Sequence, residues 1–180
     1  ARPELIREAS RAFGSSTIVV SIEAIRVANG QYEAYVNYGR DRTSVNALDW
    51  AKQAVDLGAG ELMVTSIDRE GTGKGFDLDL IRQISQSVSV PVIAGGGAGK
   101  LEDIYQVIAQ GSADAVCIAS ILHYNFIRHY RATNADYSQE GNTEFLKNLK
   151  GFSLIQDVTL PDVKSYLTQR QIYCRWPITE

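Results

Sequence analysis

The chain has 180 residues, of which 44% are apolar and 22% charged, a balance typical of a single folded domain rather than a disordered chain. Its formal net charge of −3 gives no general attraction to nucleic acid or to an anionic membrane, so neither is an expected partner. Two cysteines suit neither a disulfide framework nor a thiolate metal site, and no apolar run reaches the roughly 20 residues that span a bilayer. We therefore expect one cytoplasmic domain over residues 1–180.

A repeated unit organises the sequence: a short β-branched apolar run, a turn, then apolar residues at helical spacing. The predicted strands are 17–22, 61–67, 91–94 and 113–118, and the predicted helices are 3–13, 45–57, 78–88, 101–110 and 159–169. Continuous apolar runs indicate strands buried on both faces, as in a parallel sheet covered by helices. The pattern predicts an α/β protein.

Two segments interrupt this repeat. Between Arg26 and Arg42, an Asn29-Gly30 turn signal stands beside alternating tyrosines and apolar residues, which predicts a β-hairpin after the first strand. Residues 128–150 are polar and carry little helical pattern, so we interpret them as an insertion.

Glycines form the strongest local motif, Gly95-Gly96-Gly97-Ala98-Gly99, between a predicted strand and a predicted helix. Glycine backbone can approach an anion closely, and a helix N-terminus favours negative charge. The next strand ends at Ala119-Ser120 before a short helix, so two adjacent turns are expected to bind one phosphate. A side chain at Gly97 is expected to fill the space that the phosphate oxygens need. The alternative is a tight turn without a ligand.

Two carboxylates are candidates for acid–base chemistry. Glu70 lies with Gly71 in a glycine-rich loop after a predicted strand, which suits a mobile catalytic loop; a solvated loop with internally paired charges is the alternative. Glu23 closes the first apolar run, where apolar walls would favour its protonated form; a buried ion pair is the alternative there. His123 and His129 have no third ligand at metal spacing, so no metal site is expected.

Three segments together resemble a known family. In their order and spacing, Thr65 to Thr72, Gly95 to Gly99 and Ala119 to Tyr124 are similar to the second half of the cyclase subunit of imidazole glycerol phosphate synthase. The resemblance begins at the helix Pro3–Phe13 and resumes at Val158–Ile172 after the insertion.

The resemblance implies a (βα)8-barrel lyase of histidine biosynthesis that needs no cofactor. Ammonia from a glutaminase partner, bound as a heterodimer, would convert a bis-phosphorylated ribulosyl intermediate, a phosphorylated ribotide, into imidazole glycerol phosphate. By position in the family, Glu23 and Glu70 are implied to be catalytic, and Glu61 is implied to belong to the ammonia gate. The implied phosphate residues are Gly71, Gly96, Gly97, Ala119 and Ser120.

Two departures keep other functions open. The family has Asp where this chain has Glu23, and the added methylene displaces the carboxyl by about 1 Å, a shift that can cost roughly a hundredfold in rate. Only four βα units are present, which is expected to make this chain the C-terminal half of a barrel, inactive alone. A cyclase-like subunit for sugar amidation in surface-polysaccharide synthesis, and a non-catalytic phosphate-binding half-barrel, are the alternatives.

Overall fold

The computed structural model describes residues 2–129 and 154–175. The predicted insertion at 128–150 lies outside these residues, except for Arg128 and His129, which end a helix. No helix within the described ranges is long and apolar enough to cross a membrane.

Within the described ranges, six strands form one sheet. They are β1 Val19–Arg26, β2 Tyr32–Val36, β3 Asp41–Asn46, β4 Glu61–Ser66, β5 Val92–Gly95 and β6 Ala115–Cys117. Their order is β3-β2-β1-β4-β5-β6. Neighbours among β1, β4, β5 and β6 are parallel, whereas β2 and β3 add an antiparallel hairpin. The predicted parallel sheet and hairpin are confirmed, and the sheet is an open part of a (βα)8 fold.

The helices alternate with the parallel strands. They are α1 Glu4–Phe13, α2 Ala47–Asp56, α3 Leu78–Ser85, α4 Leu101–Ala109, α5 Ser120–His129 and α6 Leu160–Thr168. Side chains that precede a helix fix its start: the Asn46 carboxamide accepts two amide hydrogens of α2, and Thr159 forms a capping box with Asp162 at α6. Such caps satisfy N–H groups that have no partner within the helix.

The two faces of the parallel sheet differ in burial. Alternate residues on the first face pack against α2, α3 and α4, and they are Ile22, Ala24, Leu62, Val64, Val92 and Ala94. We call the other side the open face; it carries Ser21, Glu23, Met63, Thr65, Ile93, Gly95, Ala115 and Cys117, all half-buried or exposed except Gly95. The prediction of strands buried on both faces is therefore wrong for the described residues, because none of them covers the open face.

Strand β1 is longer than predicted. Its second half, Glu23 to Arg26, pairs with β2, while its first half, Val19 to Ile22, pairs only with β4 among the described residues. The hairpin therefore extends the strand beyond the apolar run. Glu23 lies three residues before the end of β1, so its expected position at the strand end is corrected.

Helix α6 is attached to α4 by a polar contact. The Tyr166 hydroxyl donates to the Glu102 carboxylate at 2.6 Å, and the Arg170 guanidinium lies 3.5 Å from the centre of the Tyr166 ring. The hydrogen bond from Tyr166 lowers the pKa of Glu102 and raises the pKa of Tyr166 itself. The contact is therefore strongest when the carboxyl is ionised and the phenol is neutral.

Candidate functional site

The carboxyl ends of the four parallel strands lie at one edge of the sheet. One row across the open face, set by the backbone register, consists of Glu23, Thr65, Gly95 and Cys117. The loops that follow these strands meet beside this row. In (βα)8 folds this edge carries the binding and catalytic groups.

A cavity of about 100 Å³ opens beside the ends of β4, β5 and β6. Its walls come from the loop after β4, the glycine turn after β5 and the turn before α5. Six of the predicted site residues line it: Glu70, Gly71, Gly96, Gly97, Ala119 and Ser120. The structure thus brings these residues together, and their contact with substrate stays a prediction.

The turn after β5 needs glycine for its backbone path. Gly96 and Gly97 have φ values of 84° and 107°, in the left-handed region that side chains disfavour. Past the turn, Gly99 and Lys100 donate their N–H groups to the Asp103 carboxylate at 2.9 and 3.0 Å. In residues 2–129 and 154–175 no acceptor takes the backbone N–H of Gly96, Gly97 or Ala98. These amides remain available to an anion, whereas those of Gly99 and Lys100 do not.

Gly97 packs against the loop after β4. Its carbonyl accepts the Gly75 N–H at 2.8 Å. A Cβ at Gly97 would overlap the Gly75 carbonyl oxygen and lie 2.9 Å from the Arg69 Cβ. The expectation that a side chain here would fill the phosphate space is therefore wrong: it would push the loop away.

Glu70 and Gly71 form the cavity rim. A Cβ on Gly96 would lie 2.8 Å from the Glu70 Oε2, so the carboxylate rests against the glycine turn. Gly71 has a φ of 69° and open space around the position of a Cβ. A carboxylate beside unpaired amides adds negative charge to a site that favours anions, so Glu70 does not itself attract a phosphate.

The third wall is the start of α5. This helix begins at Ser120, and the Ala119 carbonyl accepts the N–H groups of Leu122 and His123 at 3.1 and 2.9 Å. The first amides of a helix have no acceptor within it, and the helix dipole gives them partial positive charge. The Ser120 hydroxyl adds one donor at the cavity wall.

The other two predicted residues lie apart from the cavity. Glu23 shares the row with Thr65 but is one strand away from the lining. Glu61 begins β4 and pairs with Val19 at the opposite edge of the sheet, four residues and therefore about 13 Å from Thr65. The structure does not bring these two carboxylates together.

Sequence reasoning missed a buried pair beside this loop. The Tyr32 hydroxyl donates to Asp77 Oδ1 at 2.8 Å, and the same oxygen accepts the Leu80 N–H at 3.1 Å to cap α3. Burial raises the pKa of Tyr32, and the hydrogen bond to Asp77 raises it further. An Asp directly before a helical pattern was a usable signal for the cap, but the tyrosine lies 45 positions away.

Comparison with protein families gives one match. Residues 1–128 match a family described as histidine biosynthesis protein. The matched range includes β1 to β6 and every residue that lines the cavity.

Two curated relatives support the same assignment. The chain is 46% identical over 123 residues to the imidazole glycerol phosphate synthase subunit HisF of Alkaliphilus metalliredigens (strain QYMF), covering 68% of this chain and 49% of the relative. It is 49% identical over 123 residues to the protein of the same name from Prochlorococcus marinus (strain MIT 9215), covering 67% and 48%. The chain spans about half the length of these relatives.

Proposed function

From the premise that this chain belongs to the histidine biosynthesis protein family, we propose that it is part of the cyclase, a lyase, of an imidazole glycerol phosphate synthase. Its relatives carry the name of that synthase. Its substrate would be the bis-phosphorylated ribulosyl aminoimidazole carboxamide ribotide, and its products imidazole glycerol phosphate and an aminoimidazole carboxamide ribotide.

The observation that carries the proposal is the anion cradle at the ends of β5 and β6. Unpaired amides of the glycine turn and the start of α5 border one small cavity, and its volume of about 100 Å³ suits a phosphate group rather than a whole nucleotide. We assign this cavity to one of the two substrate phosphates. Gly71, Gly96, Gly97, Ala119 and Ser120 would surround it.

The reacting part of the substrate would lie along the row of residues on the open face. With one phosphate in the cradle beside Gly95, the sugar-derived chain would cross Thr65 towards Glu23, two strand spacings or about 10 Å away. Glu70 would stand at the phosphate end of this path and Glu23 at the other. Each carboxylate could take a proton from a substrate carbon or nitrogen and return it to another atom.

The opposite edge of the open face would receive ammonia. Glu61 lies there, at the start of β4, so ammonia released by a glutaminase partner would pass along the open face from Glu61 towards Glu23. The glutaminase partner and the cytoplasmic location belong to this proposal.

A non-catalytic role in phosphate binding is the second candidate. One observation favours it: the cavity is lined without any contribution from Glu23 or Glu61. A protein that only binds phosphate would need the cradle and would tolerate any residue at position 23.

The test is ammonia-dependent turnover by the enzyme that contains this chain. Given ammonium and the bis-phosphorylated intermediate, it should release imidazole glycerol phosphate, and Gly97→Ala should weaken inorganic phosphate binding. Glu23→Gln serves as the matched variant, since it should remove turnover and leave phosphate binding intact.

Two outcomes would contradict the proposal in different ways. Phosphate binding without turnover, with either ammonium or glutamine as nitrogen source, would favour the second candidate. Turnover without phosphate protection of the amides at Gly96 and Gly97 from hydrogen exchange would show that the cradle is misassigned.

A further inference from the structure

The loop between β4 and α3, residues 67–77, is attached at both ends to the hairpin region. Near its start, the Asp68 carboxylate accepts the backbone N–H of Arg26 at 2.9 Å. At its end, the Asp77 carboxylate accepts the Tyr32 hydroxyl at 2.8 Å. Arg26 ends β1 and Tyr32 begins β2, so the two residues that flank the β1–β2 turn each hold one end of the loop.

The attachment at Asp77 is the buried one. Tyr32 is 1% exposed and Asp77 8% exposed, whereas Asp68 and Arg26 are exposed. A hydrogen bond between buried groups is costly to lose, because the group left behind stays without water. The Tyr32–Asp77 bond therefore restrains the loop more than the Asp68 bond does.

A short backbone path joins this bond to the cradle. Gly75 is two residues before Asp77, and its N–H donates to the Gly97 carbonyl at 2.8 Å. A Cβ at Gly97 would overlap the Gly75 carbonyl, so the two backbones are in direct contact. The loop cannot shift at Gly75 without moving the glycine turn that lines the cavity.

We propose that Tyr32 is a positioning residue: its hydroxyl, through Asp77, holds Gly75 against Gly97 and so sets the shape of the anion cradle. Its use by a phosphorylated substrate rests on the proposed function, but the positioning itself does not. Tyr32 does not itself line the cavity and acts through the loop.

Backbone hydrogen exchange measured by NMR on the 180-residue chain tests the positioning directly. In Tyr32→Phe, which keeps the buried ring, exchange at the Gly75 N–H should become about tenfold faster. The reference is the Leu62 N–H, which donates to the Pro91 carbonyl at 3.0 Å within the sheet. A general loss of stability would accelerate exchange at both amides together. Loss of positioning would instead raise the exchange rate of the Gly75 N–H relative to that of the Leu62 N–H.

Two variants at Asp77 provide a matched pair that leaves the Tyr32 ring untouched. Both hydrogen bonds end on Oδ1, so the side-chain oxygen in Asp77→Asn can accept both. The Gly75 N–H of this variant should therefore exchange at the rate of the unchanged chain. Asp77→Ser keeps a good helix cap, but its side chain is too short to reach the Tyr32 hydroxyl. The Gly75 N–H of this variant should exchange as fast as it does in Tyr32→Phe. Tyr38→Phe, at an 89% exposed tyrosine in the same hairpin, is the control for hydroxyl loss.

Inorganic phosphate then separates this inference from the proposed function. Binding should be about fivefold weaker or more in Tyr32→Phe and Asp77→Ser. If Gly75 exchange relative to Leu62 is the same in Asp77→Ser and Asp77→Asn, the positioning role is overturned. If the unchanged chain binds no phosphate while exchange at the Gly75 N–H is faster in Tyr32→Phe and Asp77→Ser, the proposed function fails and the positioning role stands.

Discussion

The two faces of the parallel sheet use the same strands for different purposes. In β1, Ile22 and Ala24 are buried beneath the helices, whereas Ser21 and Glu23 alternate with them on the open face. In β4, Leu62 and Val64 are fully buried while Met63 and Thr65 are half-buried. A strand period of two thus separates residues that stabilise the fold from residues free to bind a ligand.

This separation predicts that stability and chemistry can be changed independently. A substitution on the helix-covered face should lower the free energy of unfolding and leave the site geometry until the chain unfolds. One on the open face should alter binding or turnover with little effect on stability.

Glu23→Gln should have the largest effect of an open-face change. In the enzyme that contains this chain, loss of proton transfer should lower turnover by roughly 10²–10⁴, while the midpoint of thermal unfolding stays unchanged. The described residues give the Glu23 carboxylate no partner to lose. Steady-state kinetics and a melting curve check this, and a shifted melting midpoint with normal turnover would identify Glu23 as structural.

Leu62→Ala and Met63→Ala compare the two faces at adjacent positions. Leu62 is 0% exposed, so its truncation should cost about 2–5 kcal/mol of unfolding free energy through lost burial and a cavity. Met63 is only half-buried, and its truncation should cost less than about 1.5 kcal/mol. Urea denaturation of both variants measures the difference; equal losses would mean that the open face is covered in solution.

Gly97→Ala and Gly71→Ala compare two glycines in the candidate site. Both have positive φ, but a Cβ at Gly97 meets backbone while one at Gly71 meets nothing within 4 Å. Gly71→Ala should cost only the left-handed conformation, about 1–2 kcal/mol, and Gly97→Ala should cost more and also weaken phosphate binding. Denaturation and phosphate titration test the pair; similar losses in the two variants would show that the loop at Gly75 gives way freely.

Tyr166→Phe should have the smallest effect and a defined pH window. The pKa of Glu102 is lowered from its ordinary 4.5 by the hydrogen bond from Tyr166, so the stabilising contribution is present above that value and disappears as the pH falls through the lowered pKa. The pKa of Tyr166 is raised from 10.0, so the contribution is also lost at high pH. Urea midpoints of the two proteins should differ slightly at neutral pH and converge in acid; a constant difference would assign the effect to packing.

Much of the fold could be predicted because its signals are local. The apolar spacing located all five predicted helices within about three residues at each end, and the Asn29-Gly30 turn located the hairpin. Glycines between β5 and α4 likewise indicated the sharp turn there, because positive φ and close backbone approach leave a visible residue type.

What the sequence could not show depends on distant contacts. Nothing near Tyr32 identifies Asp77 as its partner. Whether a Cβ at Gly97 would overlap another part of the chain depends on where Gly75 lies. Continuous apolar runs also cannot distinguish a face covered by this chain's helices from one left open.

The hairpin has a consequence for the order of folding. The antiparallel pairing of β1 with β2 joins residues close in sequence, such as Arg26 and Tyr32, whereas β1 and β4 join residues as distant as Val19 and Glu61. Hairpins close within about 1–10 μs, and contacts between distant residues form more slowly. One side of Glu23–Arg26 is therefore paired before β4 arrives, which leaves β4 to pair on the opposite side of β1, along Val19 to Ala24.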